Sequence, residues 1–282
     1  MKILILGASG LLGSSLIKAF SKNNYIRQFP IFRDKSKKIF LNNKKNINPI
    51  ICKYFNNKKL DKIFEKVMPN IVINCISTRG LKEHTLEKYL EINSFLPHQI
   101  YFFCQKYSAK FINISSDGVF SGLRGKYNEK DIPDATDNYG ISKFLGETYG
   151  ENSIVIRTSF IGHEQFNKTG LLEWFLKQKK CMGYNNYLYS GLTSNCLAEI
   201  IRDEILTRPK MAGIYNISAN PITKYQLLVL ISKIYNTNVK IKKINGKMID
   251  RSLLNKKFVK ESGYTFPTWE EMIKKMKVIN GK

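Results

Sequence analysis

The sequence predicts an α/β fold, a doubly wound parallel sheet followed by a smaller C-terminal α/β lobe. Three observations predict it. The N-terminal half alternates short β-branched runs with helical stretches. Those runs are apolar throughout rather than every second residue, as strands buried on both faces read. The first run also passes at once into a glycine-rich turn and then a helix.

In chain order the strands are expected at residues 2–6, 26–32, 49–52, 71–75, 110–114 and 153–157. Helices are expected between them at 11–22, 58–67, 85–107 and 138–150, with a kink or restart near Pro97, which cannot donate a helical hydrogen bond. Past Arg157 the pattern loosens. A helix at 170–179 precedes a loop rich in Gly, Asn and Tyr at 183–191, then come a helix at 194–206, a strand at 213–217 and a helix at 223–235. A last amphipathic helix is expected near 269–276. There is no internal repeat and no low-complexity linker, so the division is soft. Residues 1–158 read as the first domain and 159–282 mainly as the second lobe, with 192–217 expected to return to the first.

The turn after the first strand spaces Gly7, Gly10 and Gly13 as G-x-x-G-x-x-G. Gly7 permits the tight turn, Gly10 lets the backbone approach a pyrophosphate, and Gly13 lets helix and strand pack closely. The helix start then offers free N–H groups and a positive dipole end to phosphates. With a strand before it and a helix after it, this is the dinucleotide-binding arrangement of a Rossmann-type domain. The end of the second strand decides between NAD and NADP. Arg33, Asp34 and Lys35 carry both signals side by side, and the neighbouring Lys35, Lys37 and Lys38 favour a 2′-phosphate, hence NADPH with NADH as the other possibility.

Bulk properties bound the function. With 43% hydrophobic and 12% aromatic residues, the 282-residue chain is a folded globular protein. No apolar run approaches the roughly 20 residues that span a bilayer, and the opening residues lack the plan of a signal peptide, so a cytoplasmic protein without membrane contact is expected. Five widely spaced cysteines, with no Cys-x-x-Cys, argue for reduced thiols and against a zinc site, and no histidine pair stands at ligand spacing, so no metal is expected. The net charge of +24 would suit nucleic acid, yet only eight of the 46 basic residues are arginine, the residue that reads bases. Lysine and asparagine abundance is the mark of an AT-rich genome, so no nucleic-acid partner is expected. The charge would still draw a small anionic substrate to its site.

The most informative stretch is Ser115-Ser116-Asp117 followed by Tyr139-Gly140-Ile141-Ser142-Lys143. Tyr139 and Lys143 are four apart at a helix start and share one face. An ammonium group beside a phenol favours phenolate, which makes tyrosine a usable proton donor or acceptor near neutrality. A serine hydroxyl at the end of the preceding strand could hold a substrate oxygen. With these residues the sequence resembles the extended short-chain dehydrogenase/reductase superfamily, and more narrowly the dTDP-4-dehydrorhamnose reductase family. The resemblance spans nearly the whole chain. It includes residues 69–74, Ser116-Asp117-Gly118-Val119-Phe120, Tyr127-Asn128-Glu129, Gly146-Glu147, Arg157-Thr158-Ser159, residues 213–217 and Arg251-Ser252-Leu253-Leu254-Asn255.

The resemblance implies an NAD(P)H-dependent oxidoreductase that reduces the 4-keto group of a nucleotide-linked 6-deoxy sugar, for deoxysugar or surface-polysaccharide synthesis. Ser116 would bind the carbonyl, Tyr139 would protonate the alkoxide, and Lys143 would bind the nicotinamide ribose and tune Tyr139. The cofactor would lie along Gly7, Ser9, Gly10, Leu11, Leu12 and Gly13, with Arg33 at its adenosine end and Cys75, Ile76 and Ser77 on its inner side. The sugar would sit between Ser77, Ser116, Tyr139 and Phe160, and Arg251 would face the diphosphate of this nucleotide-sugar partner. His163 could edge the pocket. A homodimer is possible.

The pattern also departs from that family. Gly118 stands for a tyrosine and Phe160 for a tryptophan, which should enlarge or reshape the sugar pocket for a bulkier sugar such as a 2-acetamido-2,6-dideoxy-4-ketohexose. Tyr54 replaces an aspartate near the adenine. An epimerase of the same superfamily and a non-catalytic NADP-binding regulatory subunit are the competing readings. Dehydration would need an acid–base pair after Ser116, where Asp117-Gly118 stands instead.

Overall fold

The computed structural model describes residues 1–35, 45–78, 85–166 and 168–279. β1 (Lys2–Leu6) leads into α1 (Leu11–Phe20), and β2 (Arg27–Phe32), β3 (Ile50–Ile51), α2 (Asn57–Val67) and β4 (Ile71–Asn74) follow. One helical run then comprises α3 (Leu86–Tyr89), a π-helical stretch (Leu90–Phe95) and α4 (Leu96–Lys106). Pro97 sits in the first turn of α4, directly after that stretch. Lacking an N–H, it cannot bond the Asn93 carbonyl one turn back. Gly146 packs at that carbonyl, where a Cβ would lie only 1.8 Å from the oxygen.

β5 (Lys110–Ile114), α5 (Asn138–Leu145) and β6 (Ser153–Arg157) complete the regular part. Helix α5 stops at Leu145, five residues short of expectation, because Gly146 leaves the helix in that close contact. The chain continues through β7 (Phe160–Ile161), α6 (Leu171–Phe175), β8 (Lys180–Tyr184), β9 (Tyr187–Tyr189), β10 (Leu192–Thr193), α7 (Ser194–Ile200), β11 (Gly213–Asn216), β12 (Ile222–Thr223), α8 (Lys224–Tyr235), β13 (Lys240–Ile244), β14 (Ile249–Asp250), α9 (Lys256–Ser262) and α10 (Trp269–Ile279).

Seven strands form one parallel sheet in the order β11-β6-β5-β4-β1-β2-β3. Within β1, Ile3 and Ile5 pack into the core on one face while Leu4 and Leu6 pack into the other, and all four are fully buried. That is why the strand reads as continuously apolar. The strand order reverses between β1 and β4, so the crevice beyond their carboxyl ends is where such a sheet places a ligand.

Two expectations for the last third are corrected. The stretch read as a long helix at 170–179 is helical only at Leu171–Phe175. The stretch read as a loop at 183–191 holds strand residues: β8 pairs in parallel with β13, and β9 pairs with both β12 and β14. These are small, partly exposed pairings, and tertiary contact with α8 rather than local pattern makes them strands. Among the described residues, no helix is long and apolar enough to cross a membrane, and no group of three or more His, Cys, Asp or Glu could hold a metal ion. All five cysteines are free thiols.

Candidate functional site

The glycine turn is held by its own backbone. Gly7 takes φ +77°, and its oxygen accepts from Gly10 N at 2.9 Å. A Cβ on Gly13 would lie 2.2 Å from that same oxygen and 2.9 Å from Ala8 Cα, so α1 approaches the turn as closely as glycine allows. Gly10 begins α1 without a capping side chain, and the first turn of α1 holds no acidic residue. Its leading N–H groups are therefore available to an anion.

A cleft of about 630 Å³ opens beside this turn, within the range of small-molecule sites. Gly10, Leu11, Leu12, Cys75, Ser77, Ser116, Tyr139, Lys143, Phe160 and Arg251 all line it. Of the other residues expected to bind cofactor, Gly7 and Gly13 shape the turn from behind, Ser9 is half-buried beside it, and Ile76 packs towards the sheet core. Arg33 follows β2 on the exposed surface, outside the cleft wall. Lys37, Lys38 and His84 lie outside the described residues.

On the inner wall, the Asp137 side chain caps α5 by accepting from Gly140 N at 2.9 Å, which sets Tyr139 and Lys143 one turn apart on the cleft side. Ser116, just past β5, accepts from Gly118 N at 3.0 Å. Lys143 is 3% exposed and donates to Ile114 O at 2.6 Å. Burial pushes its pKa down from the ordinary lysine value to about 8, against the opposing pull of Glu147 and Cys75. Burial raises the Cys75 thiol to about 12, which makes it an inert wall rather than a nucleophile.

Gly118 is buried and does not line the cleft. A Cβ there would fall 3.0 Å from Tyr139 Cε1, so the space of the missing side chain is already taken by the tyrosine ring. The expected enlargement of the pocket at this position is corrected accordingly, whereas Phe160 does face the cleft.

Two polar groups behind the wall were given no role from sequence. Arg157 and Glu147 form a bidentate ion pair at 2.9 and 2.7 Å, with side chains 2% and 0% exposed, and Glu147 also accepts from Ser115 Oγ at 2.7 Å. Asn74 in β4, Asn113 in β5 and Asn93 in the π-helical stretch are all buried. Asn93 accepts from Ser77 Oγ at 3.2 Å and donates to Ser142 Oγ at 3.0 Å, tying the segment after β4 to α5. The legible signal was an asparagine inside the apolar runs of β4 and β5, a polar residue that a buried strand keeps only when it is hydrogen-bonded, whereas Asn93 lies on the helical run.

The outer wall comes from residues after β7. Tyr187, Tyr189, Lys224 and Arg251 line it, with Glu164 at the loop after β7. Lys224 Nζ lies 4.0 Å from the Tyr187 ring centroid. His163 is not at the edge of the cleft. It is buried between Glu173 Oε1 and Tyr235 Oη, each at 2.7 Å, where it joins α6 to α8. His98 Nε2 meets Leu145 O at 2.8 Å, and Tyr54 is exposed on the surface.

The cleft thus combines an anion-accepting helix start, a hydroxyl–phenol–ammonium wall and a cationic outer wall. A dinucleotide fits the first of these, because the open side of Gly10 meets nothing nearer than Gly7 O at 3.2 Å from a built Cβ.

Comparison with known proteins bears on this arrangement. The family described as the RmlD substrate binding domain matches residues 1–277. A dTDP-4-dehydrorhamnose reductase from Clostridium acetobutylicum is similar in structure at a TM-score of 0.82 and 19% identity, with 100% of both chains covered. The same enzyme from Bacillus anthracis, solved in complex with NADP, follows at 0.78 and 18%, with 99% of each chain covered. Among curated proteins, methionine adenosyltransferase 2 subunit beta of Bos taurus is 28% identical over 151 residues. That match covers 52% of this chain and 41% of the bovine protein, so the aligned region spans about two fifths of that relative's length.

Proposed function

Because this chain belongs to the RmlD substrate binding domain family, we propose that it is an NADPH-dependent reductase of the 4-keto group of a nucleotide-linked 6-deoxy sugar. The observation that carries the reading is the convergence of Ser116, Tyr139 and Lys143 on one wall of a cleft that begins at the glycine turn. The helix start at Gly10 to Leu12 receives the dinucleotide phosphates, and Cys75 and Ser77 line its inner side. The bound nicotinamide supplies the hydride. Ser116 Oγ donates to the carbonyl oxygen and stabilises the charge that develops there. Tyr139 gives that oxygen its proton, and Lys143 holds the nicotinamide ribose while its ammonium favours proton loss from the phenol. Arg33 and Lys35, exposed after β2, suit a 2′-phosphate. Arg251 and Lys224 suit the diphosphate of the substrate. The protein acts in the cytoplasm as a homodimer.

The test is NADPH oxidation with a panel of nucleotide-linked 4-keto-6-deoxy sugars, 2-acetamido sugars included, run beside Tyr139→Phe. Oxidation that depends on one sugar and falls about 100- to 10,000-fold in the variant is expected. Tight cofactor binding with no oxidation by any sugar would overturn the reductase.

A second reading has its own support in the relative named as a methionine adenosyltransferase subunit. In that reading the chain binds NADP and regulates a partner enzyme. The proton-donating tyrosine weighs against it, since a purely regulatory subunit has no use for one.

A further inference from the structure

Arg251 reaches the cleft from a firmly fixed backbone. Asp250 N donates to Gly122 O at 2.7 Å, and Lys126 N donates to Ser252 Oγ at 2.9 Å. The head of the side chain is held far less. Its Nη2 lies 3.6 Å from Asp137 Oδ2, beyond hydrogen-bond range, and its Nε is buried with no hydrogen-bond partner among the described residues. Packing and charge place the guanidinium beside Asp137 without a hydrogen bond between them, and Nη2 remains available to another anion.

Asp137 has a second task on its other oxygen, which accepts from Gly140 N and caps the helix that carries Tyr139 and Lys143. Capping does not require a charge, since asparagine and serine cap about as well. The charge therefore matters chiefly to Arg251. The Asp137 carboxylate is half exposed and faces Arg251, which with Lys224 brings positive charge to the cleft wall.

We infer that Asp137 competes with the diphosphate of a bound nucleotide for Arg251, which weakens nucleotide binding and hastens release. The inference rests on the reading of the cleft as a nucleotide-sugar site. When a diphosphate enters, it takes over the guanidinium donors and Asp137 is left to its cap. When it leaves, Asp137 recovers the charge partner, so Arg251 is never uncompensated. Because the pair is partly exposed, its contribution is modest and sensitive to salt.

Calorimetric titration of the full chain with dTDP and with UDP tests this. Asp137→Asn and Asp137→Ser both keep the cap and remove the charge. Each is expected to bind the preferred nucleotide about two- to fivefold tighter at low salt, with the gain shrinking at high salt. In an Arg251→Met background the same substitutions are expected to change nothing, as a double-mutant cycle requires. A purely structural role could only weaken binding. Unchanged or weaker affinity, or a gain that persists without Arg251, overturns the inference and leaves the site reading intact. Failure of the unaltered protein to bind either nucleotide overturns that reading, and the inference with it.

Discussion

Gly118 yields its side-chain space to Tyr139: a Cβ built on Gly118 would lie 3.0 Å from Tyr139 Cε1 and 3.1 Å from Ser116 Oγ. The phenol and the serine hydroxyl are therefore spaced by the absence of one carbon. Gly118→Ala is expected to push the ring by a few tenths of an ångström and lower kcat about three- to tenfold. Small misplacements of reacting groups have costs of this order. Affinity for NADPH should not change, since Gly118 is away from the glycine turn. Steady-state kinetics beside a cofactor titration checks both, and an unaltered kcat would mean that the ring has room to spare.

The ion pair behind the wall leads to a stability prediction. Glu147 and Arg157 are bidentate and sealed from solvent, and Glu147 also accepts from Ser115. Glu147→Ala leaves a guanidinium buried without its carboxylate, which costs about 3–5 kcal/mol. Replacing both partners by apolar residues should cost much less, because neither charge is then stranded. Urea unfolding of the single and double variants measures the difference. A Glu147→Ala loss below about 1 kcal/mol would show that water reaches Arg157.

The residues that were legible in the sequence are those whose chemistry is local. The β1–glycine-turn–α1 unit could be read because strand, turn and helix follow one another within twenty residues, and each glycine answers to backbone geometry alone. Tyr139 and Lys143 could be read because helical spacing fixes their common face. What escaped reading depends on partners distant in sequence. Asp137 and Arg251 meet across more than a hundred residues, and so do Lys126 and Ser252. The β8–β13 pairing likewise joins segments sixty residues apart, neither of which was read as a strand. His163 looked like a rim residue until Glu173 and Tyr235 closed on both its nitrogens. Gly118 was misread because a missing side chain suggests a hole, and only packing shows what fills it.

Lys143 makes the site pH-dependent in two opposite senses. Its pKa falls from 10.5 to about 8 on burial. Between about pH 8 and 10.5 the unfolded chain therefore holds the proton that the folded chain has released, and stability rises with pH through that window. Below pH 8 both states are charged, and the full cost of burying the ammonium is present. Activity runs the other way in the proposed reductase: proton loss removes the ammonium given the role of tuning Tyr139, and kcat/KM is expected to fall above about pH 8. Lys143→Met should remove the stability rise in thermal melts recorded across this range. A wild-type kcat/KM that stays flat to pH 10 would contradict the role given to Lys143.

A surface of the sheet's helical layer bears on the proposed homodimer. Phe95 and Phe102 lie seven residues apart on the Leu86–Lys106 run and are 69% and 60% exposed. Ile141 and Leu145 lie one turn apart on α5 and are exposed as well. The two rows are neighbours, because His98 on the first meets the Leu145 carbonyl on the second. Four large apolar side chains on adjoining helices make a patch of the kind that marks a contact surface. A two-fold axis through such a patch buries it against its own copy, which closes the assembly at two chains. Phe102→Glu combined with Leu145→Lys is expected to leave the fold intact, since both side chains already face solvent, and to convert a dimer into a monomer in sedimentation equilibrium. A wild-type chain that sediments as a monomer at tens of micromolar would assign the patch to a different partner, as the regulatory-subunit reading requires.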